Sequence, residues 1–250
     1  MAVVGKNSCL ISIAVALFYF VRGAVATSSN RSFLPLAFSA TAPKSSPQAK
    51  ILKSIHADTT AKPVCSYFEV QIPTSKEGAP PCQDINVEDL TPTIQSLLAD
   101  AKMTHGSINI ISRHTTTALT INESESRLAQ DMRAYFLNLA PPDERSTSVA
   151  AQDGVRYFHN DIEQRPDSDE EAQRCRDNGW DIDDAVELQK WRDQEPINSH
   201  SHLLSMLLGT SESIPVVDGK MVIGQWQSIL LVDLDGPRDR TVGVQFNGYE

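Results

Sequence analysis

The stretch IPVVDGKMVIGQWQSILLVDL, Ile214–Leu234, decides how the fold is read. Asp218-Gly219 is a strong hairpin dipeptide, because both residue types tolerate the positive φ that a two-residue turn needs. It stands between two runs rich in β-branched residues, so the chain goes out and returns as antiparallel neighbours. DGPRDR, Asp235–Arg240, makes a further turn. TVGVQF then alternates Val242, Val244 and Phe246 in the period of a half-buried strand. Residues 211–250 are therefore read as antiparallel sheet.

Working back toward the N-terminus, SINIISRHTTTALTIN (Ser107–Asn122) is dense in Ile and Thr and is the clearest strand pattern in the chain. VCSYFEVQI (Val64–Ile72) reads as another strand. VEDLTPTIQSLLADAK (Val87–Lys102) carries Ile94, Leu97, Leu98 and Ala101 at helical spacing, and His105-Gly106 ends that helix. A second helix spans Ser126–Leu139, with Leu128, Met132, Tyr135, Phe136 and Leu139 on one side and Pro141-Pro142 as its stop. A third begins at EPINSHSHLLSMLLG, where Asn198 caps, Leu203, Met206, Leu207 and Leu208 form the apolar side, and Gly209 stops it. Residues 163–195 hold twelve acids, five bases and two tryptophans, and read as an exposed loop-and-helix excursion too polar to form core. The class is α+β: antiparallel strands gathered into a sheet or sandwich with about three inserted helices, in one domain over residues 62–250.

The net charge of −10 conceals an asymmetry. Residues 1–57 contain no acid but six cations (Lys6, Arg22, Arg31, Lys44, Lys50, Lys53), leaving 22 − 6 = 16 bases against 32 acids in the remainder. Such a surface repels nucleic acid and anionic membranes, whose phosphates call for cationic neutralisation. Residues 1–61 read as a targeting leader and linker. CLISIAVALFYFV (Cys9–Val21) has the length of a signal-peptide core, AVA (Ala24–Ala26) offers a cleavage pattern, and the Ser/Thr/Ala/Pro-rich stretch that follows has transit-peptide composition. A secretory signal with a linker, a plastid or mitochondrial leader, and a plain membrane anchor all stand as readings; once a leader is removed, no membrane association is expected. Cys65, Cys82 and Cys175 are an odd set beyond the leader, without a C-x-x-C pair, so the chain is not a disulfide scaffold. Asn30 and Asn122 match the glycosylation pattern, which matters only in the secretory lumen.

Of six histidines, four lie beside other polar residues at element ends: His114, His159, His200 and His202. In a helix, residues two apart point about 200° apart, so only one of His200 and His202 faces the core. In an extended segment both could hold one ion, since neutral imidazole is a common zinc ligand. Capping and surface histidines are the bland alternative. Glu123 reads either as a base or as an acid favoured by the dipole of the following helix. Thr115–Thr117, Arg238 and Arg240 could meet a phosphate, though strand threonines and turn arginines are ordinary. Trp226 reads more readily as core than as a ligand platform. Phosphate-binding glycine loops, G-x-S-x-G and H-E-x-x-H are absent from the sequence.

HTTTALTINESES, YFHND, NSHSHLLSMLLG, SIPVVDGKMVIGQWQSILLVDLDGPRDR and TVGVQF occur in the order found in the YjbQ family, the secondary thiamine-phosphate synthase enzymes. The resemblance covers about Val64 to Asn247. It implies an antiparallel β-sandwich with inserted helices that assembles as a homotrimer, and the acidic segment resembles an insertion of eukaryotic members. It further implies condensation of a pyrimidine diphosphate with a thiazole phosphate. The implied catalytic residues are His114, Glu123, His159 and His202; the implied substrate-binding residues are Asn198, Trp226, Gln227 and Arg240. A divalent metal is expected on His159, His200 and His202, with zinc favoured by imidazole donors and magnesium usable only with substrate oxygens. Two other readings stand beside this one: a metal-dependent hydrolase of a small phosphorylated or heterocyclic metabolite, and a non-enzymatic protein that binds a small molecule or ion. In every case the partner is a small molecule and not nucleic acid.

Overall fold

A computed structural model describes residues 60–74, 84–147 and 150–250. The expected leader, Cys9, Cys82 and the Asn30 acceptor lie outside the described residues. The described residues all belong to one compact unit. No helix among the described residues is long and apolar enough to cross a membrane.

Two antiparallel sheets carry the fold. The larger takes β1 (Pro63–Pro73), β3 (His105–Ser112), β5 (Ser211–Val217), β6 (Lys220–Met221) and β8 (Asp239–Tyr249) in the order β1-β8-β3-β5-β6. The smaller takes β2 (Asp84–Asp89), β4 (Thr117–Asn122) and β7 (Ser228–Gly236) in the order β2-β7-β4. Asp218 and Gly219 have φ of 52° and 72°, the conformation expected of the dipeptide that joins β5 to β6.

The apolar alternation explains how the sheets are covered. Ile108, Ile110, Val242, Val244 and Phe246 from the larger sheet share one core with Leu119, Ile229 and Leu231 from the smaller, closed by Ile94 and Leu98 of helix α1 (Thr91–Ala101). The alternate residues of the same strands, Ala118, Val232 and Leu234, face the other way. They pack against Phe136 of α2 (Ser126–Leu139) and Leu204 of α5 (Ser199–Leu208). Both faces of β7 are thus covered, which is why ILLV (Ile229–Val232) is a continuous apolar run and not an alternating one. Each fully buried aliphatic or aromatic chain contributes about 1.5–3 kcal/mol.

Several expectations change. The stretch Ser107–Asn122 is two strands in different sheets, broken at Arg113–Thr116, so His114 sits in a connection and not within a strand. Val87–Asp89 pair with β7, and the helix begins only at Thr91, with Pro92 in its first turn where a missing N–H costs nothing. His105 and Gly106 open β3 and do not end the helix. Among the described residues five α-helices stand where about three were expected, because the acidic segment forms α3 (Asp169–Asp177) and α4 (Ala185–Gln194). Ser168 and Asp184 cap these two helices, and Cys175, Ile182 and Trp191 give them a small core of their own. On α5 it is Leu204 that is buried, whereas Leu203, Met206 and Leu207 are exposed.

Candidate functional site

The site is assembled by three polar segments that meet at one end of the smaller sheet. First is the loop carrying YFHND. Its anchor is Asp143, fully buried, which accepts from the Arg145 guanidinium, the Tyr157 backbone N–H and Asn160 Nδ2. Arg145, through those hydrogen bonds, holds the Asp143 carboxyl well below the usual carboxylate range. Asn160 in turn accepts from the Ser199 N–H at 3.1 Å, so the loop is tied to the first turn of α5. That tie brings His159 against His202, their ring centroids 4.8 Å apart at 73°. Burial pushes both imidazoles below their ordinary value; Arg165 adds to this at both rings, and Glu195 opposes it at His159. Two neutral, partly accessible rings result.

Second is the start of α5. Ser201 Oγ donates to the Leu234 carbonyl at 2.5 Å and Ser205 Oγ to the Thr117 carbonyl at 2.6 Å, which seats the helix on β7 and β4. Asn198 and His202 lie one turn apart and share a face. His200, opposite, is fully buried, with its Nε2 3.3 Å from Ser201 Oγ; burial pushes its pKa down to about 4. Asn198 Nδ2 donates to Asp235 Oδ2 at 2.8 Å.

Third is the β7–β8 turn. Asp233 and Asp235 share a face of β7 by strand periodicity. Arg240, fully buried, donates through Nη2 to an Asp233 carboxylate oxygen and to the Asp235 carbonyl; Thr74 Oγ1 also bonds Asp233. Arg238 Nη2 reaches Asp235 Oδ2 at 3.1 Å. His114 stands beside these groups. The Thr241 N–H donates to its Nε2 at 2.8 Å, so Nδ1 carries the hydrogen in the neutral ring. Burial lowers its pKa, and Arg240, Arg238 and Arg113 lower it further against the pull of Asp233. Among the described residues, the buried atoms Asn198 Oδ1, Asp235 Oδ1, Arg240 Nε and His200 Nδ1 have no hydrogen-bond partner.

The expected site residues divide into two sets. His114, His159, Asn198, His202 and Arg240 lie along this seam. Glu123, Trp226 and Gln227 do not: Asn122 pairs with Ser228, whereas Thr117 pairs with Asp233, so the two sets sit at opposite ends of the β4–β7 ladder. Trp226 is 72% exposed, neither core nor part of the seam. Gln227 Oε1 accepts from the Gly224 N–H in its own turn. Glu125, not Glu123, caps α2, accepting from the Arg127 and Leu128 N–H groups. His200 faces away from the His159–His202 pair, and among the described residues no group of three or more His, Cys, Asp or Glu is placed to hold a metal ion. The donor set therefore falls short of the three protein ligands that a zinc site takes.

Sequence reading missed Asp233, Asp235, Asp143 and Arg165. A D-x-D pair ending an apolar strand was the available signal for the first two. Arg165 is the hub of the acidic segment: it pairs with Glu171 and Glu195, its guanidinium lies 5.4 Å from the Trp191 ring centroid, and it shares with His159 the wall of a cleft of about 410 Å³. The segment is thus a wall beside the imidazole pair, not a detached excursion.

Comparison with known proteins places the chain. Residues 81–249 match the family described as UPF0047 protein YjbQ-like, and the chain belongs to that family. It is 30% identical over 164 residues to a UPF0047 protein of Methanothermobacter thermautotrophicus, covering 66% of this chain and 84% of the relative. It is 22% identical over 160 residues to UPF0047 protein YugU of Bacillus subtilis, covering 64% and 88%. A YbjQ-like protein of unknown function from Sulfolobus solfataricus has the same fold, with a TM-score of 0.51 and 23% identity, covering 74% of this chain and 97% of that one. A hypothetical protein from Aeropyrum pernix gives a TM-score of 0.50 at 26% identity, covering 73% and 98%. These relatives are named by family alone, and the Sulfolobus protein is described as of unknown function. The expectation of a thiamine-phosphate synthase, with a metal-dependent hydrolase as its alternative, is corrected accordingly: the names of these relatives give a family and state no reaction.

Proposed function

We propose that the polar seam between α5 and the β7–β8 turn binds a small anionic molecule. One observation carries this reading: His114, fixed with its hydrogen on Nδ1, stands among Arg113, Arg238 and Arg240, and buried Arg240 Nε has no acceptor among the described residues. A buried donor without an acceptor carries its full desolvation penalty, which an incoming anionic oxygen would relieve. Arg238 is half-exposed and can reach a ligand from the solvent side, where a guanidinium fork matches carboxylate or phosphate oxygens. At the other end of the seam, neutral His159 and His202 each offer one ring nitrogen as acceptor and one as donor. The net negative surface elsewhere argues against a polyanion such as nucleic acid as the occupant.

The test is a titration of the protein with inorganic phosphate and with citrate, read by amide NMR. The Thr241 N–H, bonded to His114, is the built-in reporter. Its resonance should shift with either anion and lose that response in Arg238→Ala. An unmoved Thr241 amide with both anions would refute the site.

A second reading adds a divalent ion on His159 and His202, zinc before magnesium because the donors are imidazoles. It is favoured by the facing neutral rings alone, and the bound molecule or water would have to complete the ligand set. Zinc uptake lost in His202→Ala is the result that supports it. The assembly we propose is a homotrimer of β-sandwich subunits, supported by apolar surface left exposed at Tyr135 and Leu139 on α2 and at Leu203, Met206 and Leu207 on α5. Sedimentation at a single monomer mass would reject the trimer.

A further inference from the structure

Asn198 and Asp235 are joined by one side-chain hydrogen bond. One edge of the pair is satisfied, with Asn198 Nδ2 donating to Asp235 Oδ2 at 2.8 Å. The other edge is not: Asn198 Oδ1 and Asp235 Oδ1 are both buried and, among the described residues, both lack a partner. The residues are 4% and 1% exposed, so water does not compensate them from bulk. If the carboxyl is ionised, two acceptor oxygens are shut away with no donor, an arrangement that carries a desolvation penalty twice over. One proton removes both deficits.

We propose that Asp235 keeps its proton on Oδ1 and donates it to Asn198 Oδ1, closing an acid–amide ring of two hydrogen bonds that holds the N-cap residue of α5 and, one turn on, His202. Asp235 is then a positioning residue acting through Asn198. The charged groups around it fit a neutral acid. Arg238 touches Oδ2 but is half in solvent, where its field is screened. Arg240 spends its charge on Asp233 and reaches only the Asp235 carbonyl. Asp233 accepts from the Asp235 N–H and repels a second negative charge. Asn198, the facing side chain from the start of α5, is neutral, and His159, which interacts with the Asn198 side chain, is kept neutral by burial. Burial pushes the Asp235 carboxyl above its ordinary value in the same direction. The consequence for ligand binding rests on the seam being the anion site; the protonation itself does not.

The experiment is infrared difference spectroscopy of the full chain against Asp235→Asn at neutral pH. The wild-type protein should show the carbonyl band of a protonated carboxylic acid that the variant lacks, with the carboxylate bands unchanged. Loss of carboxylate absorption instead would overturn the proposal. An amide at position 235 offers the same donor–acceptor edge, so Asp235→Asn should keep phosphate affinity within about twofold, whereas Asp235→Ala should weaken it about tenfold. If Asp235→Asn fails to fold, carbon-13 NMR of aspartate-labelled wild-type protein decides: one carboxyl carbon in its protonated position at neutral pH supports the ring, and a fully ionised set refutes it. A protonated-acid band in a protein that binds no phosphate would defeat the anion site and leave the ring standing.

Discussion

Acidifying the protein from about pH 7 to about pH 5 should cost about 2 kcal/mol of folding stability through His200 alone. His200 is fully buried on α5, and burial pushes its pKa to about 4 in the folded chain. Unfolded, it titrates near 6.5. A folded pKa below the unfolded one means that the unfolded chain takes up a proton that the folded chain refuses. The stabilising contribution is therefore complete above about pH 6.5 and disappears as pH falls toward 4. The full difference, 6.5 − 4, at about 1.36 kcal/mol per unit, is about 3.4 kcal/mol, of which about 2 has gone by pH 5. His114, His159 and His202 shift in the same direction and steepen the total. The comparison that isolates His200 is urea denaturation of wild type and His200→Gln at several pH values, because the other histidines are common to both. The variant's stability should fall less steeply, by about 2 kcal/mol over the interval. Parallel curves would mean that His200 is not held neutral by burial, and the packing account of α5 would fail with it.

Three other perturbations follow from particular contacts. Asp143→Asn leaves the Arg145 guanidinium without its buried carboxylate and should cost about 3 kcal/mol or more in thermal unfolding; a loss under about 1 kcal/mol would contradict the anchoring role assigned to Asp143. Gly106→Ala should lower stability by about 3 kcal/mol, since φ at Gly106 is +155° and a Cβ there would overlap the Asn247 carbonyl oxygen and stand 2.6 Å from Gly248 Cα; a normal melting curve would show the β3–β8 contact to be looser than described. Arg165→Met removes the pairs with Glu171 and Glu195, both only partly buried, so about 2 kcal/mol is expected, confined to α3 and α4. Hydrogen exchange should then rise in those helices and not in β7 or β8.

The fold was legible where short-range chemistry decides structure. Asp218-Gly219 adopts the positive φ its hairpin needs, Ser126–Leu139 is a helix between the bounds read from its apolar stripe, and Val242, Val244 and Phe246 all face the core. It was not legible where tertiary pairing overrides local pattern. Val87–Asp89 continue smoothly into a helical sequence, yet β7 recruits them as a strand. Ser107–Asn122 has one unbroken strand composition, and only the need to serve two sheets breaks it at Arg113. The sequence reading gives α5 an apolar side of Leu203, Met206, Leu207 and Leu208, but spacing cannot say which of two apolar stripes meets the sheet; Leu204 and Leu208 do, and the other three are exposed. In the acidic segment, charge density hid the three residues that make a core, Cys175, Ile182 and Trp191.

The candidate site shows the same division at a larger scale. Motifs that follow one another in sequence suggest a single hollow, but strand register decides which of them meet. β4 runs from Thr117, opposite Asp233, to Asn122, opposite Ser228. At about 3.3 Å per residue, those five steps separate the two ends by roughly 17 Å. Glu123, Trp226 and Gln227 lie at the Ser228 end; His114, Asp233, Asp235 and Arg240 lie at the other, joined through Asn198 to His202 and His159. Within one chain, a compact anion cannot touch both groups. A ligand role for Trp226 and Gln227 in the same site would therefore require either an extended molecule or a neighbouring subunit, whereas the His–Arg end already holds facing imidazoles, guanidiniums and unpartnered buried atoms without help from the far end. Substitutions at Trp226 should leave the phosphate response of the Thr241 amide intact, and substitutions at Arg238 should abolish it. The opposite pattern would move the site to the other end of the sheet.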